Sequence, residues 1–271
     1  MKDIAVVAYC RTGIARATRG ALNQTHGIPM TAHVMRHAVE RAGIDPAEIE
    51  DVVVGCGLPE GATGHNIARN AALDAGFGEA VPGITVNRYC GSGLSAASIV
   101  ANRIAAGEAT VAIAAGVESI SLVQFNLNMN GFFYPPLQQR MPAVWWTMNQ
   151  TADFVAKKYG ISREAQDEYV VQSQQRVAAA AAAGKFAEEI VPFSRTGLSF
   201  RRPSIVVSAR LPSSLRRVTS SKVTSLVSLF VMAFVAVIGM ISASNFPLSW
   251  PAAVRRWLSS EYTSCASRPM L

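Results

Sequence analysis

Hydrophobic and polar positions follow two alternating rhythms over the first 120 residues. Near-continuous apolar runs at 4–10 (IAVVAYC), 52–56 (VVVGC), 83–87 (GITVN) and 110–116 (TVAIAAG) predict strands covered on both faces of a sheet. Between them lie segments with helical period. In TAHVMRHAVERAGI, Val34, Met35, Ala38 and Ala42 share one stripe, and His33, Arg36, His37 and Glu40 the other. A second helix, GHNIARNAALDAG, closes at Gly76, and a third, SGLSAASIVANRIAAG, at Gly107. Strands alternating with helices at this spacing predict βαβ units in a mixed or parallel sheet, and hence an α/β fold.

After residue 119 the rhythm breaks. The stretch 122–146 is irregular, aromatic and proline-bearing, and reads as a long surface excursion. A helical hairpin follows. QTADFVAKKYG ends at Gly160, then Ser162 caps a helix that carries Glu164 and Asp167 near its positive end and closes at Gly184. Its alanine run at 178–183 is a strong helix former.

From Ser194 the texture changes again. Ser and Arg crowd the chain, acids nearly vanish, and the uncharged run at 223–243 is long and apolar enough to span a bilayer. Three units are therefore expected: a core at 1–119, a loop region at 120–193 and an atypical basic and apolar tail at 194–271. Two origins suit the tail, an out-of-frame or fused sequence or an authentic membrane anchor.

Charge supports that division. Through Phe193 there are 15 basic and 17 acidic residues, a net of −2; beyond it there are 10 basic residues and one acid, Glu261, a net of +9. The formal charge of +7 thus belongs to the tail. Those basic residues lack interleaved aromatics, which argues against nucleic acid as a partner. Four cysteines, Cys10, Cys56, Cys90 and Cys265, do not make a disulfide framework, and a reducing, cytoplasmic setting is expected. Cys10 and Cys56 read as buried small residues at strand ends.

Cys90 differs. It follows the strand ITVN and directly precedes a helix of small residues. A helix N-terminus presents unpaired N–H groups and partial positive charge, which favour thiolate. Gly91, Ser92 and Gly93 place no bulky side chain over the sulfur, so a substrate or another backbone can approach. The local pattern leaves a nucleophile and a structural thiol both open.

The segment ITVNRYCGSGLSAA resembles the nucleophile segment of thiolases, with its Asn-x-x-Cys-x-Ser-Gly pattern. Other stretches agree in order: AYCRTGIARATRGAL with the family's opening strand and Arg-Thr loop, EIEDVVVGCGLPEGATGHNIARNAAL with its second strand and Asn-x-Ala-Arg helix, and AIAAGVESIS with its Gly-x-Glu-Ser segment. Residues 148–193 are similar to the loop region that helps hold coenzyme A. The resemblance covers about residues 1–193. It implies a layered α-β-α N-terminal domain with an inserted helical loop region.

The resemblance also implies an activity, acyl transfer between acyl-CoA and acetyl-CoA through an acyl-Cys90 intermediate. The oxyanion and nucleophile loop would be Gly91, Ser92 and Gly93, and Met148 would lie on the substrate side. Coenzyme A thioesters are then the substrates, no cofactor or metal is required, and the family forms homo-oligomers. Asn149 departs from the glycine the family usually has after that methionine.

The family's second, C-terminal half supplies a Gly-His-Pro histidine, a Cys-x-Gly segment and an Asn-Glu segment, and this sequence holds none of them. All four histidines (His26, His33, His37 and His65) precede residue 66, and Cys265 lacks flanking glycines. His33 and His37 read as a solvated polar face rather than a metal pair, and His65 as a capping or interface group. No base for Cys90 is evident, so little or no turnover is expected of this chain alone. A non-catalytic interaction or membrane-anchored protein built on the same half is the alternative.

Overall fold

The computed structural model describes residues 4–194 and, as a strand, Ala236–Ser242. Five strands form one sheet in the order β1-β5-β4-β2-β3: β1 (Ile4–Arg11), β2 (Asp51–Gly55), β3 (Gly83–Val86), β4 (Val111–Gly116) and β5 (Ala236–Ser242). β2, β3 and β4 run parallel, whereas β5 lies antiparallel between β1 and β4. β2 is buried along its whole length, as its unbroken apolar run predicts. β1 is an edge strand, and its Val6 and Tyr9 face outward, so it is not covered on both sides.

Helices cover both faces. α1 (Gly27–Ala42) and α2 (Ile67–Ala75) pack on one side, around a core that includes Met30, Met35, Ile67, Val52 and Val54. α3 (Ser92–Ala106) packs on the other, where Ala96, Val100 and Ile104 meet Val53, Ala112 and Ala114. Right-handed crossovers explain the split. β2 leads to its neighbour β3, then the chain turns back across β2 to reach β4, and reversing direction puts the next helix on the opposite face. The expected α-β-α layering is thus present.

Helix ends follow the local chemistry with small displacements. α1 starts at Gly27, four residues before the apolar stripe suggests, because the His26 side chain accepts from the Ile28 amide and caps it. It is Asn66 that caps α2, accepting from the Arg69 amide, and this corrects the reading of His65 as the cap; His65 lies exposed with φ of 50°. His33 and His37 sit edge to face at 4.5 Å, and His33 also packs on Phe193.

Four further helices make up the loop region: α4 (Ile120–Val123), α5 (Pro135–Arg140), α6 (Met148–Lys158) and α7 (Arg163–Ala182). The excursion at 122–146 is therefore not wholly irregular. α5, α6 and α7 contain no buried residue, and neither α6 nor α7 packs extensively on the sheet or its covering helices. After α7 the chain returns to β1, where the Arg11 amide donates to the Glu189 carbonyl and the Val191 amide donates to the Arg11 carbonyl.

The tail requires a correction. Residues 236–242, part of the run read as a possible bilayer span, form an interior strand of the sheet, paired from Ile4 to Arg11 on one side and from Val111 to Gly116 on the other. Periodicity alone does not separate a buried strand from another apolar segment, and pairing of both backbone edges decides the matter. The rest of 223–243, and Cys265, lie outside the described residues. No helix among the described residues is long and apolar enough to cross a membrane.

Candidate active site

β2, β3 and β4 end on the same side of the sheet, the side where open α/β sheets place their ligands. Cys90 lies there, in a single 3-10 turn (Tyr89–Gly91) between β3 and α3. Its thiol is exposed, and among the described residues it makes no hydrogen bond. The other two described cysteines contrast with it. Cys10 is 2% exposed, donates to the Val34 carbonyl, and burial pushes its pKa up to about 11, with Arg41 opposing. Cys56 is fully buried, and burial, reinforced by the Glu118 carboxylate, pushes it up to about 12.

The turn that carries Cys90 is tight and strained. Tyr89 has φ of 46°, a left-handed conformation that costs an L-residue about 1 kcal/mol or more. Two side chains hold it. Asn87 Oδ1 accepts from the Tyr89 amide at 2.8 Å, and Ser92 Oγ accepts from the Arg88 amide at 2.9 Å while donating to the Tyr89 carbonyl at 2.6 Å. Those two residues are the Asn and Ser of the Asn-x-x-Cys-x-Ser-Gly pattern, so part of that pattern is a turn-holding device. Ser92, by sequence one of the small residues beside the sulfur, turns its hydroxyl inward to the turn's backbone, and the residue is 3% exposed.

Glycines set how closely α3 descends on the sheet. A Cβ on Gly55 would stand 2.2 Å from the Ser92 carbonyl carbon and 2.4 Å from the Gly93 nitrogen. Gly93 and Gly116 also meet backbone to backbone, since a Cβ on Gly116 would lie 3.4 Å from the Gly93 Cα. The N-terminus of α3 therefore rests on bare backbone at the ends of β2 and β4. Of the predicted loop residues, Gly93 has this packing reason, whereas a Cβ on Gly91 would meet only the Arg88 side chain at ordinary contact distance. Sequence reading missed Gly55 and Gly116, because a glycine at a strand end is common and carries no local mark of what lies across from it.

Glu118 was also missed as a candidate, although it sits in the quoted AIAAGVESIS segment. Its carboxylate accepts from the Gly57 amide at 2.9 Å and the Leu58 amide at 3.1 Å, and the Cys56 thiol lies at 3.6 Å. Met148 is the first residue of α6, exposed, behind a Thr147–Gln150 capping box. Among the described residues no group of three or more His, Cys, Asp or Glu side chains is arranged to hold a metal ion.

Among the described residues, the α-β-α sheet thus carries one exposed thiol, on a strained strand-to-helix turn. The thiolase N-terminal domain model matches residues 4–247, and this chain belongs to that family. It is 41% identical over 199 residues to a 3-ketoacyl-CoA thiolase of Bacillus subtilis, covering 72% of this chain and 50% of that protein. It is 40% identical over 203 residues to an acetyl-CoA acetyltransferase of Cupriavidus necator, covering 71% and 51%. The chain thus spans about half the length of the curated relatives it matches. Among solved structures, the Bacillus anthracis acetyl-CoA acetyltransferase superposes with a TM-score of 0.68 at 25% identity over 90% of this chain and 66% of that one. The dimeric peroxisomal thiolase of Saccharomyces cerevisiae gives 0.74 at 27% identity, over 90% and 65%.

Proposed function

We propose that this chain is the nucleophile-bearing half of a thiolase-type acyltransferase, with Cys90 as the residue that takes the acyl group. The carrying observation is the contrast among the thiols: Cys90 is exposed on a braced turn at the head of α3, while Cys10 and Cys56 are buried. In the step proposed, the Cys90 thiol gives its proton to solvent and the sulfur attacks the carbonyl carbon of an acyl-CoA thioester. The new C–S bond forms as the bond to the CoA sulfur breaks, and the departing CoA thiolate takes up a proton. The Cys90 backbone N–H is suited to the oxyanion of the tetrahedral intermediate, whereas the Gly91 and Ser92 amides already donate to the Arg88 and Tyr89 carbonyls.

Residues 1–119 form the catalytic layer in this reading, and 120–193 the region that grips coenzyme A, with Met148 on the substrate side. The fold of the yeast enzyme, described as dimeric, supports a homo-oligomer here. A cytoplasmic, reducing setting keeps the exposed thiol free. No metal or cofactor is needed for the step as written.

No side chain among the described residues is hydrogen-bonded to the Cys90 thiol, so slow self-acylation rather than turnover is expected of the chain alone. Incubation with acetyl-CoA followed by peptide mass mapping tests this. One acetyl group on the peptide containing Cys90, absent from Cys90→Ser, is the expected result. An unmodified Cys90 in folded protein overturns the proposal.

A further inference from the structure

We propose that Glu118 is a positioning residue for the Cys90 turn, acting through Gly57. The inference rests on the reading of Cys90 as nucleophile and adds a second element to the machinery that presents it. Glu118 follows the end of β4, and its carboxylate reaches across to the loop that follows β2. There it accepts from two successive amides, Gly57 and Leu58, and so holds that loop against the sheet end with charge-assisted bonds.

Gly57 is the link between carboxylate and turn. A Cβ on it would lie 3.0 Å from Glu118 Oε2 and 3.3 Å from the Tyr89 Cα. The space a side chain at 57 would fill is therefore taken up jointly by the carboxylate and by the residue whose left-handed conformation aims Cys90. Cys56, just before it, is tied to the sheet by its amide, which donates to the Val86 carbonyl at the end of β3. Three strand ends thus converge on the turn: β3 through the chain itself, β2 through Gly57, and β4 through Glu118. Asn87 and Ser92 hold the turn from within, and Glu118 backs it from without.

A glutamine at 118 keeps the shape but turns an N–H₂ group toward one of the two amide donors, so the loop loses a bond and gains a repulsive contact. The test measures the rate of Cys90 alkylation by iodoacetamide across pH in the full chain, with peptide mapping to separate the cysteines. Glu118→Gln is expected to slow Cys90 alkylation at neutral pH about tenfold. Glu118→Asp is expected to recover part of the loss. Cys10, on the opposite face of the sheet, should stay unreactive, showing that the fold is intact.

An unchanged rate in folded Glu118→Gln overturns the proposal. Should that variant unfold, exposing Cys10, Gly57→Ala decides, since it keeps the carboxylate and wedges a methyl group between it and Tyr89. Slower Cys90 alkylation there supports the inference, and an unchanged rate overturns it. Alkylation needs no acyl-CoA. Sensitivity to residue 118 without any acetyl adduct would therefore sink the acyl-carrier reading while leaving this one standing.

Discussion

The sheet with its three covering helices and the excursion formed by α5 to α7 are both largely helical in their non-strand parts, yet different forces hold them. α3 is short of strong caps: no side chain accepts from its first-turn amides. It is fixed by what it rests on, the bare backbone of Gly55 and Gly116 and the apolar wall of β2 and β4. α7 is the reverse. It buries nothing, and its order comes from the Ser162 cap, the Arg163–Asp167 pair one turn apart and an alanine run of high helix propensity. A helix held by tertiary contact can carry a strained, reactive turn at its head. One held by local terms alone offers no such platform.

Substitutions that add a single methyl group probe this difference most sharply. Gly55→Ala is expected to destabilise the whole sheet by about 3 kcal/mol, since the new Cβ meets immovable backbone. Chemical denaturation would show it as a lower midpoint, with loss of Cys90-specific labelling. Gly184→Ala, beyond α7, has open space around it and pays only for its φ of 70°, about 1 kcal/mol, confined to the end of that helix. Equal effects from the two would erase the distinction.

Ser92→Ala comes next in size. It leaves the Arg88 amide and the Tyr89 carbonyl without their hydroxyl partner and is expected to cost about 2 kcal/mol. Iodoacetamide labelling of Cys90 should slow along with the stability loss. Thr147→Ala, which removes the cap of α6, should cost about 1 kcal/mol locally and leave Cys90 labelling unchanged.

A pH effect belongs to the sheet side alone. His33 is half-buried between His37 and Phe193, and burial, with His37 adding to it, lowers its pKa to about 4 from 6.5. The unfolded chain then binds the proton more readily than the folded one. Stability from this group is fully present above pH 6.5 and falls as pH drops toward 4. Urea midpoints at pH 7 and pH 5 should differ in that direction, and His33→Gln should flatten the difference. The thiols act at the other end: Cys10 and Cys56 hold their protons more tightly when folded, so their contribution is lost as pH rises from 9 through 11 to 12. The smallest effect is expected for His37→Gln, which removes only the secondary cause of the His33 shift and a contact with Glu40. The difference between the two urea midpoints should shrink slightly and no more.

Much of this was legible along the chain. Four strands and the main helices follow from apolar period and from caps such as Ser162, and Cys90 stood out by its place between a β-branched run and a small-residue helix. Asn87 and Glu118 were visible as letters of quoted segments but not as props, because their partners, the Tyr89 amide and the Gly57–Leu58 loop, acquire positions only in the folded chain. β5 was misread for a related reason. An uncharged apolar run satisfies the requirements of a bilayer and of a sheet interior equally well.

The sequence by itself determined the α/β alternation, the separation of a charge-balanced body from a basic tail, and which cysteine stands at a helix start. Each depends on composition and short-range period. Tertiary structure alone decided that 236–242 pairs between β1 and β4, that Tyr89 takes a left-handed backbone, and that Gly55 must lack a side chain. Those outcomes turn on backbone groups far apart in the chain meeting within hydrogen-bond or contact distance, and no local pattern of residues encodes which distant partner a backbone group will meet.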